Sequence, residues 1–463
     1  MSIIDTAINL DTKFFNDYNP GHKSLYICTK FILYSHILLI IFAEYIFTLY
    51  KKNDAVEMSN EIVIIGAGHA GGMTAISLRQ KNYDGLITLI GKEAYLPYQR
   101  PPLSKGFLAG EMDKERLYLK TQSYFEKHNI HVIKERKVLD IDRDKKNILL
   151  DDRKQIEYGK LVVATGSTLN KINTSCRETN IHYLRTIADA LKIQQALKDK
   201  NKITIIGAGY IGLEIASIAA RKNINTTIIE MEDRVMSRVI CPVVSDFFQK
   251  KHEAEGVKFK FNVSVIDIED NHNQKQIKCT DGTVIDADAV VIGVGIKPNI
   301  ELAINSGLVC QDGIVVDENG QTSDESIFAA GDCTNHPNSI YHKRLRLESV
   351  HNAVEQAKSV AASISGENKP YHQVPWFWSD QYNLKLQIAG ISKNYDQYVV
   401  RGDMEEEKFT VFYLKKKKII AVDTINNLKE FFNGKKLIAI GAEIPLDVLQ
   451  NKDTNLKELI KHY

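Results

Sequence analysis

The sequence has no closely spaced pair of cysteines: its six, at 28, 176, 241, 279, 310 and 333, are scattered without a C-x-x-C or similar motif. That excludes a disulfide scaffold and a dithiol relay, and so few unpaired cysteines fit a reducing cytosol. Cys279 and Cys310 read as small apolar packing residues. Cys333 with His336 and His342 has faint metal-ligand spacing but no fourth ligand, so no metal is expected. A basic excess is missing too, since 60 Lys and Arg face 58 Asp and Glu for a net charge of +2, and nothing calls for nucleic acid. Low-complexity linkers are absent. The longest apolar window, residues 31–50, is broken by Ser35, His36, Glu44 and Thr48. It is long enough for a membrane span, yet Glu44 near its centre costs roughly 2.5 to 3.5 kcal/mol on insertion scales. No basic start or A-x-A-like site marks a signal peptide.

What is present is one sentence written twice. "EIVIIGAGHAGG" (61–72) and "ITIIGAGYIGLE" (203–214) each run from an aliphatic strand into G-x-G-x-x-G and a helix start. That is the opening of a Rossmann unit. Gly66 and Gly207 take the tight turn, Gly68 and Gly209 admit a pyrophosphate to the backbone, and Gly71 and Gly212 let helix and strand pack closely. The free N–H groups at each helix start favour the phosphates. In the second unit "INTTIIE" ends at Glu230, where a carboxylate accepts the ribose hydroxyls of NAD and repels the extra phosphate of NADP. Glu232 and Asp233 add to that repulsion and Arg234 and Arg238 stand close enough to oppose it; NADH is the expected partner. In the first unit Glu93, after Lys92, is the expected ribose ligand. One tightly held dinucleotide and one exchanging one suggest resident FAD and visiting NADH. "SIFAAGDCT" (326–334) brings Gly331 and Asp332 to a strand end, and "KLVVATGS" (160–167) reads as a buried crossing strand.

From about residue 58 onward the chain resembles the NADH-dependent ferredoxin reductases of bacterial oxygenase systems. The motifs in combination are "GHAGG", "PYQRPPLSKGFLAG", "LRT", "GAGYIGLE", "GVGIKPN", "AAGDC", "ESVHNA" and "PWFWSDQY". The resemblance implies an α/β fold with two Rossmann-like nucleotide-binding domains, glutathione-reductase-like, plus a C-terminal α+β domain. The expected division is 58–171 for the first part of the FAD domain, 172–298 for the NAD domain, 299–375 for the second part of the FAD domain and 376–463 for the last domain. Residues 1–57 precede the pattern and are expected to be a translated leader or a single membrane anchor on a cytoplasmic enzyme. The segment "LPYQRPPLSKGFLAG", where thiol-dependent relatives would carry a redox cysteine, has none.

The resemblance assigns Lys105 to stabilise charge on the reduced flavin, paired with Glu214; the bland readings are a surface lysine and an exposed helical glutamate. By motif it carries over flavin contacts at Ala70, Val138, Arg185, Asp332 and the main chain of Val350, and it adds His69, Arg100, Ile211 and Gly295 as further cofactor-binding residues. Val138 alone would read as plain core. Trp376 and Trp378 suit either an electron-accepting ring or domain packing. "YLKKKKII" (413–420) reads as a solvated hairpin turn. Lys343, Arg344, Arg346 and Lys358 read equally as a basic rim steering an acidic two-iron ferredoxin or as a solvated charged hairpin. Three functions stay open: a reductase of a two-iron ferredoxin or rubredoxin, a flavin NADH oxidoreductase using a quinone or other small acceptor, and an NADH-binding flavoprotein of the apoptosis-inducing-factor kind.

Overall fold

The computed structural model describes residues 60–461. The expected leader or anchor over 1–57, with its apolar window 31–50, lies outside the described residues. Among the described residues no helix is long and apolar enough to cross a membrane.

Two parallel five-stranded sheets dominate. In the first, the order is Ile327–Ala329, Lys160–Val163, Ile62–Ile65, Ile87–Ile90, Ile130–Ile133. In the second it is Lys258–Lys260, Asn225–Ile229, Lys202–Ile206, Ala289–Ile292, Ile181–Tyr183. The central strands are mainly apolar and buried on both faces, with Thr88 and Thr204 the polar residues inside them. Strands covered on both sides need no polar alternation. Each glycine loop leaves the middle strand of its sheet, where the chain turns to one side and later to the other. That switch point is where an open α/β sheet has a crevice at its carboxyl edge. Strand Ile327–Ala329 returns to the first sheet after the second is complete, as an interrupted domain requires. The antiparallel pair Ser167–Leu169 and Ile296–Pro298 lies where the chain leaves one unit and re-enters the other.

The C-terminal part is a five-stranded antiparallel sheet, ordered Trp376–Gln381, Leu384–Gly390, Lys418–Ile425, Lys408–Lys415, Gln397–Asp403. Helix Leu428–Ala439 lays Phe431, Leu437 and Ile438 against it. The lysine run forms the expected hairpin: Lys416 and Lys417 take φ of 50° and 68°, and residues 415–418 are exposed. Two left-handed residues make the turn whose twist matches a hairpin's strands.

One apolar core decides what meets at the site. It joins Tyr98, Leu103 and Phe107 of the proline-rich segment, Leu213 and Ala216 of the second loop helix, and Leu386, Phe409 and Tyr413 of the C-terminal sheet. Polar residues interleaved with these are therefore brought into register from three distant stretches. Cys279 and Cys333 are buried in other cores, with Cys310 partly buried beside Cys333, as packing residues.

Candidate functional site

The two loops are built alike. Gly66 has φ +110° and a Cβ there would stand 2.1 Å from the Ala164 carbonyl oxygen; one on Gly71 would stand 1.9 Å from that of Gly66. Gly207, at φ +102°, and Gly212 are confined in the same way. Gly68 and Gly209 differ: a Cβ on either meets nothing within 4 Å. Each is the N-cap of its helix, His69–Gln80 or Tyr210–Arg221, and neither helix has a side-chain cap. Both helices so present uncapped N–H groups and a positive dipole end toward open space, the condition for holding an anion.

A cavity of about 780 Å³ starts at the first loop and runs to the second helix. Its lining includes Gly66, Gly68, His69 and Ala70 of the first loop, Glu93, Arg100, Lys105, Val138 and Arg185 from the segments that follow, Ile211 and Glu214 of the second loop helix, and Asp332 and Val350. Gly71 sits behind the loop, while Gly207, Gly209, Gly212, Glu230 and Gly295 fall outside the cavity lining. The lining contains no cysteine among the described residues.

Lys105 is neither a surface lysine nor a helix-cap ornament. Its Nζ lies 2.8 Å from Glu214 Oε1, with the two side chains 16% and 2% exposed. A carboxylate so deeply buried needs every lone pair served. Ser379, from the C-terminal sheet, donates to Oε1 at 2.6 Å, and Ser104 donates to Oε2. Neither serine had been singled out from sequence. Ser104 stands inside "PPLSK" and Ser379 inside "PWFWSD", but only the fold brings them to one carboxylate.

Other assigned residues show their partners. Asp332 accepts from Ser167 at 2.8 Å and Arg185 at 3.2 Å. Val350 opens a helix capped by Ser349, so its main chain faces the cavity from a helix start. Glu93 lines the cavity, yet accepts from Tyr98 at 2.6 Å and Arg100 at 2.7 Å. Arg100 also donates to the Arg185 carbonyl at 2.5 Å, which makes it a clamp on the wall. Glu230 accepts the Ala208 N–H at 2.6 Å and that of Glu232 at 3.0 Å, tying the acid to the second loop's backbone. His69 keeps a neutral ring: burial first, then Arg100, lowers its pKa to about 4 against a raising pull from Asp332. Its Nδ1 is buried with no partner among the described residues.

Tyr210 and Phe377 pack with ring centroids 4.6 Å apart and both line the cavity, as does Trp378. Trp376 leans on Trp378 at 5.4 Å and meets Phe431 at 5.6 Å, so the tryptophan pair spans site and domain packing. Of the basic residues, Arg344 donates to Val316 O at 2.6 Å and to Asn335, Arg346 pairs with Asp312 and Glu348, and Lys358 pairs with Glu355 at 2.7 Å. These three are engaged within the chain, and Arg344 in particular pins backbone.

The site fits a dinucleotide flavin in three respects: a cavity of sufficient volume, a helix start whose N-cap glycine has free space before it, and a buried imidazole nitrogen without a partner among the described residues. A family model described as pyridine nucleotide-disulphide oxidoreductase matches residues 60–357, and a reductase C-terminal model matches 376–460. Putidaredoxin reductase of Pseudomonas putida is 38% identical over 409 residues, 87% of this chain and 97% of that protein. Rhodocoxin reductase of Rhodococcus erythropolis is 40% identical, covering 85% of this chain and 92% of that one. The solved covalent complex of putidaredoxin reductase with putidaredoxin contains a chain that superposes with a TM-score of 0.84 at 38% identity, covering 87% of this chain and 98% of that one. The chain belongs to the pyridine nucleotide-disulphide oxidoreductase family.

Proposed function

We propose that this oxidoreductase holds FAD in the 780 Å³ cavity, receives NADH at the second loop and passes single electrons to a two-iron ferredoxin or rubredoxin that serves an oxygenase. The FAD domain would be built from 58–171 and 299–375, with 172–298 holding NADH and 376–463 closing the site. When bound, FAD takes hydride from NADH and releases electrons one at a time, chemistry that belongs to the cofactor. The chain's part is to bind, orient and supply charge. The uncapped N–H groups after Gly68 and Gly209 would meet the two pyrophosphates. Glu230, fixed by the Ala208 N–H, would face the adenosine ribose of NADH and repel an added phosphate there. Arg185 and Ser167 hold Asp332 in place at the strand end. Lys105 keeps a positive charge inside the cavity because Glu214 holds it there, and a negative reduced flavin gains from such a fixed charge. Tyr210, Phe377 and Trp378 wall the space with rings and exclude water.

The observation that carries the reading is the buried Lys105–Glu214 pair in a cavity that has no thiol among the described residues. A covalent thiol step has nothing to act through, so electron transfer remains. Iron–sulfur acceptors are the choice because the relatives include putidaredoxin, rhodocoxin and rubredoxin reductases. The test is steady-state NADH oxidation by FAD-loaded protein with a panel of two-iron ferredoxins and rubredoxins, set against quinone and oxygen. Turnover with one of the iron–sulfur proteins well above every small acceptor is expected; the reverse order would overturn the assignment.

A further inference from the structure

Behind Glu214, on the side away from the cavity, four polar side chains continue in file through an otherwise apolar core. Ser379 donates to Glu214 Oε1 at 2.6 Å, and Gln381 Nε2 donates to Ser379 Oγ at 3.1 Å. Gln381 Oε1 lies 2.9 Å from His252 Nε2, and the Tyr382 hydroxyl lies 3.0 Å from His252 Nδ1. Ser379, Gln381 and His252 are each 0% exposed. The file crosses three elements: the second loop helix, the first C-terminal strand and the helix Pro242–Ala254.

Its polarity is fixed from one end. An ionised carboxylate only accepts, so the Ser379 hydroxyl must donate to Glu214. The serine oxygen then accepts from the amide nitrogen of Gln381, which turns the amide carbonyl to His252. That carbonyl also only accepts, so Nε2 must carry the imidazole proton, and a neutral ring leaves Nδ1 to accept from Tyr382. Burial holds the ring neutral, lowering its pKa to about 4. The amide passes on orientation and not a proton, because a proton cannot hop across it without an imidic tautomer. At the far end Tyr382 occupies the left-handed region at φ 55°, an arrangement costly for a bulky residue. Its ring packs on His252 at 4.9 Å.

We propose that the C-terminal sheet sets the orientation of the active-site carboxylate through this one-way file, so that Ser379 and Gln381 are positioning residues for the Lys105–Glu214 pair and the His252 tautomer reports the charge on Glu214. The consequence for FAD rests on the function proposed above; the tautomer does not. Loss of the Ser379 donor concentrates the carboxylate's charge on Lys105 and weakens the positive field in the cavity. A reduced, negative flavin is then less favoured.

The experiment uses FAD-loaded full-length protein at neutral pH, with ¹⁵N-histidine NMR for the tautomer and spectroelectrochemistry for the FAD midpoint potential. Wild type should show His252 as one Nε2–H tautomer. Ser379→Ala should give a mixture and a midpoint potential shifted negative, and Ser379→Thr should restore both. Glu214→Gln, whose amide can donate or accept, should scramble the tautomer as well, so the question is answered even if Ser379→Ala folds poorly. Tyr382→Phe should leave the tautomer fixed. A wild-type Nδ1–H ring, a fixed tautomer in both Ser379→Ala and Glu214→Gln, scrambling only in Tyr382→Phe, or an unmoved potential in Ser379→Ala overturns the proposal. If NADH leaves the bound FAD oxidised while the tautomer behaves as stated, the proposed function fails and the file stands.

Discussion

Lys105 and Glu214 meet at 2.8 Å although they come from the proline-rich segment and the second loop helix, and the pair stands almost wholly out of water. Breaking such a pair from one side leaves a buried charge unserved, at a cost of about 3 to 5 kcal/mol, while removing both partners is far cheaper. Lys105→Met should therefore lower the unfolding midpoint and slow NADH-dependent bleaching of bound FAD by about 10² or more. The double variant Lys105→Met with Glu214→Gln should regain most of the stability and none of the rate. Urea unfolding and stopped-flow absorbance check the two halves; recovery of the rate in the double variant would count against an electrostatic role.

The loop glycines separate folding from binding. Gly68→Ala adds a methyl where the described chain has nothing within 4 Å; the loss of a favoured N-cap glycine is offset by the smaller freedom of the unfolded chain, so apoprotein stability should stay within about 1 kcal/mol of wild type. It should nevertheless lose FAD on desalting, because the methyl occupies the phosphate's approach. Gly71→Ala drives a methyl to 1.9 Å from the Gly66 carbonyl oxygen and should lose the fold itself. Flavin content set beside apoprotein melting tells them apart. Equal behaviour of the two variants would contradict the assignment of the first loop to a phosphate.

Glu230→Gln removes the charge and keeps an acceptor for the Ala208 N–H, at the cost of the second bond, from the Glu232 N–H. The ratio of kcat/KM for NADH over NADPH should fall about tenfold, the effect of roughly 1.4 kcal/mol of lost repulsion. Steady-state kinetics with both nucleotides measures it. An unchanged ratio would move the discrimination to Glu232 or Asp233.

Asp423 gives a pH dependence. Burial, opposed only by a hydrogen bond from Tyr413, pushes its pKa up to about 7 from 3.8. The folded state therefore holds a proton that the unfolded state releases. Its contribution is complete below pH 4 and is lost as pH rises through about 7. Asp423→Asn should thus gain stability relative to wild type from pH 5 to pH 7 by about 2 kcal/mol, and the gap should level off above pH 8. His252 and His336 have pKa values lowered to about 4 by burial, so their contribution is lost as pH falls from 6.5. They are common to both proteins and cancel in the difference. Urea unfolding at pH 5, 6, 7 and 8 gives the curves; parallel ones would show that Asp423 is ionised throughout.

Arg344 bears on docking. Its guanidinium holds the Val316 carbonyl and the Asn335 side chain through half-buried hydrogen bonds, so Arg344→Ala should cost stability by about 0.5 to 1.5 kcal/mol. Lys358→Glu, at an exposed position beside Glu355, should instead raise the apparent KM for an acidic ferredoxin at low salt, with the effect fading at high salt. Kinetics at two ionic strengths distinguish them. From sequence these residues read equally as a basic rim or as a solvated charged hairpin; in the fold Arg344 holds the Val316 carbonyl and Lys358 pairs with Glu355.

The local grammar was legible in the chain. Strand, turn and helix at Gly66–Gly71 and Gly207–Gly212 depend on neighbours within a dozen positions, as do the hairpin at Lys416–Lys417 and the lack of a thiol in "PYQRPPLSK". Those features led to the family and to the FAD and NADH that it uses; the assignment of each loop to its dinucleotide is a proposal. Which acceptor each polar group finds was not local. Glu93 is met by Tyr98 and Arg100, Arg344 turns to backbone, and Ser379 reaches Glu214 from the opposite end of the sequence. Hydrogen bonds act over about 3 Å and buried donors must find partners. That choice is made only when one apolar core draws three remote segments together, and there the tertiary structure decided what the sequence left open.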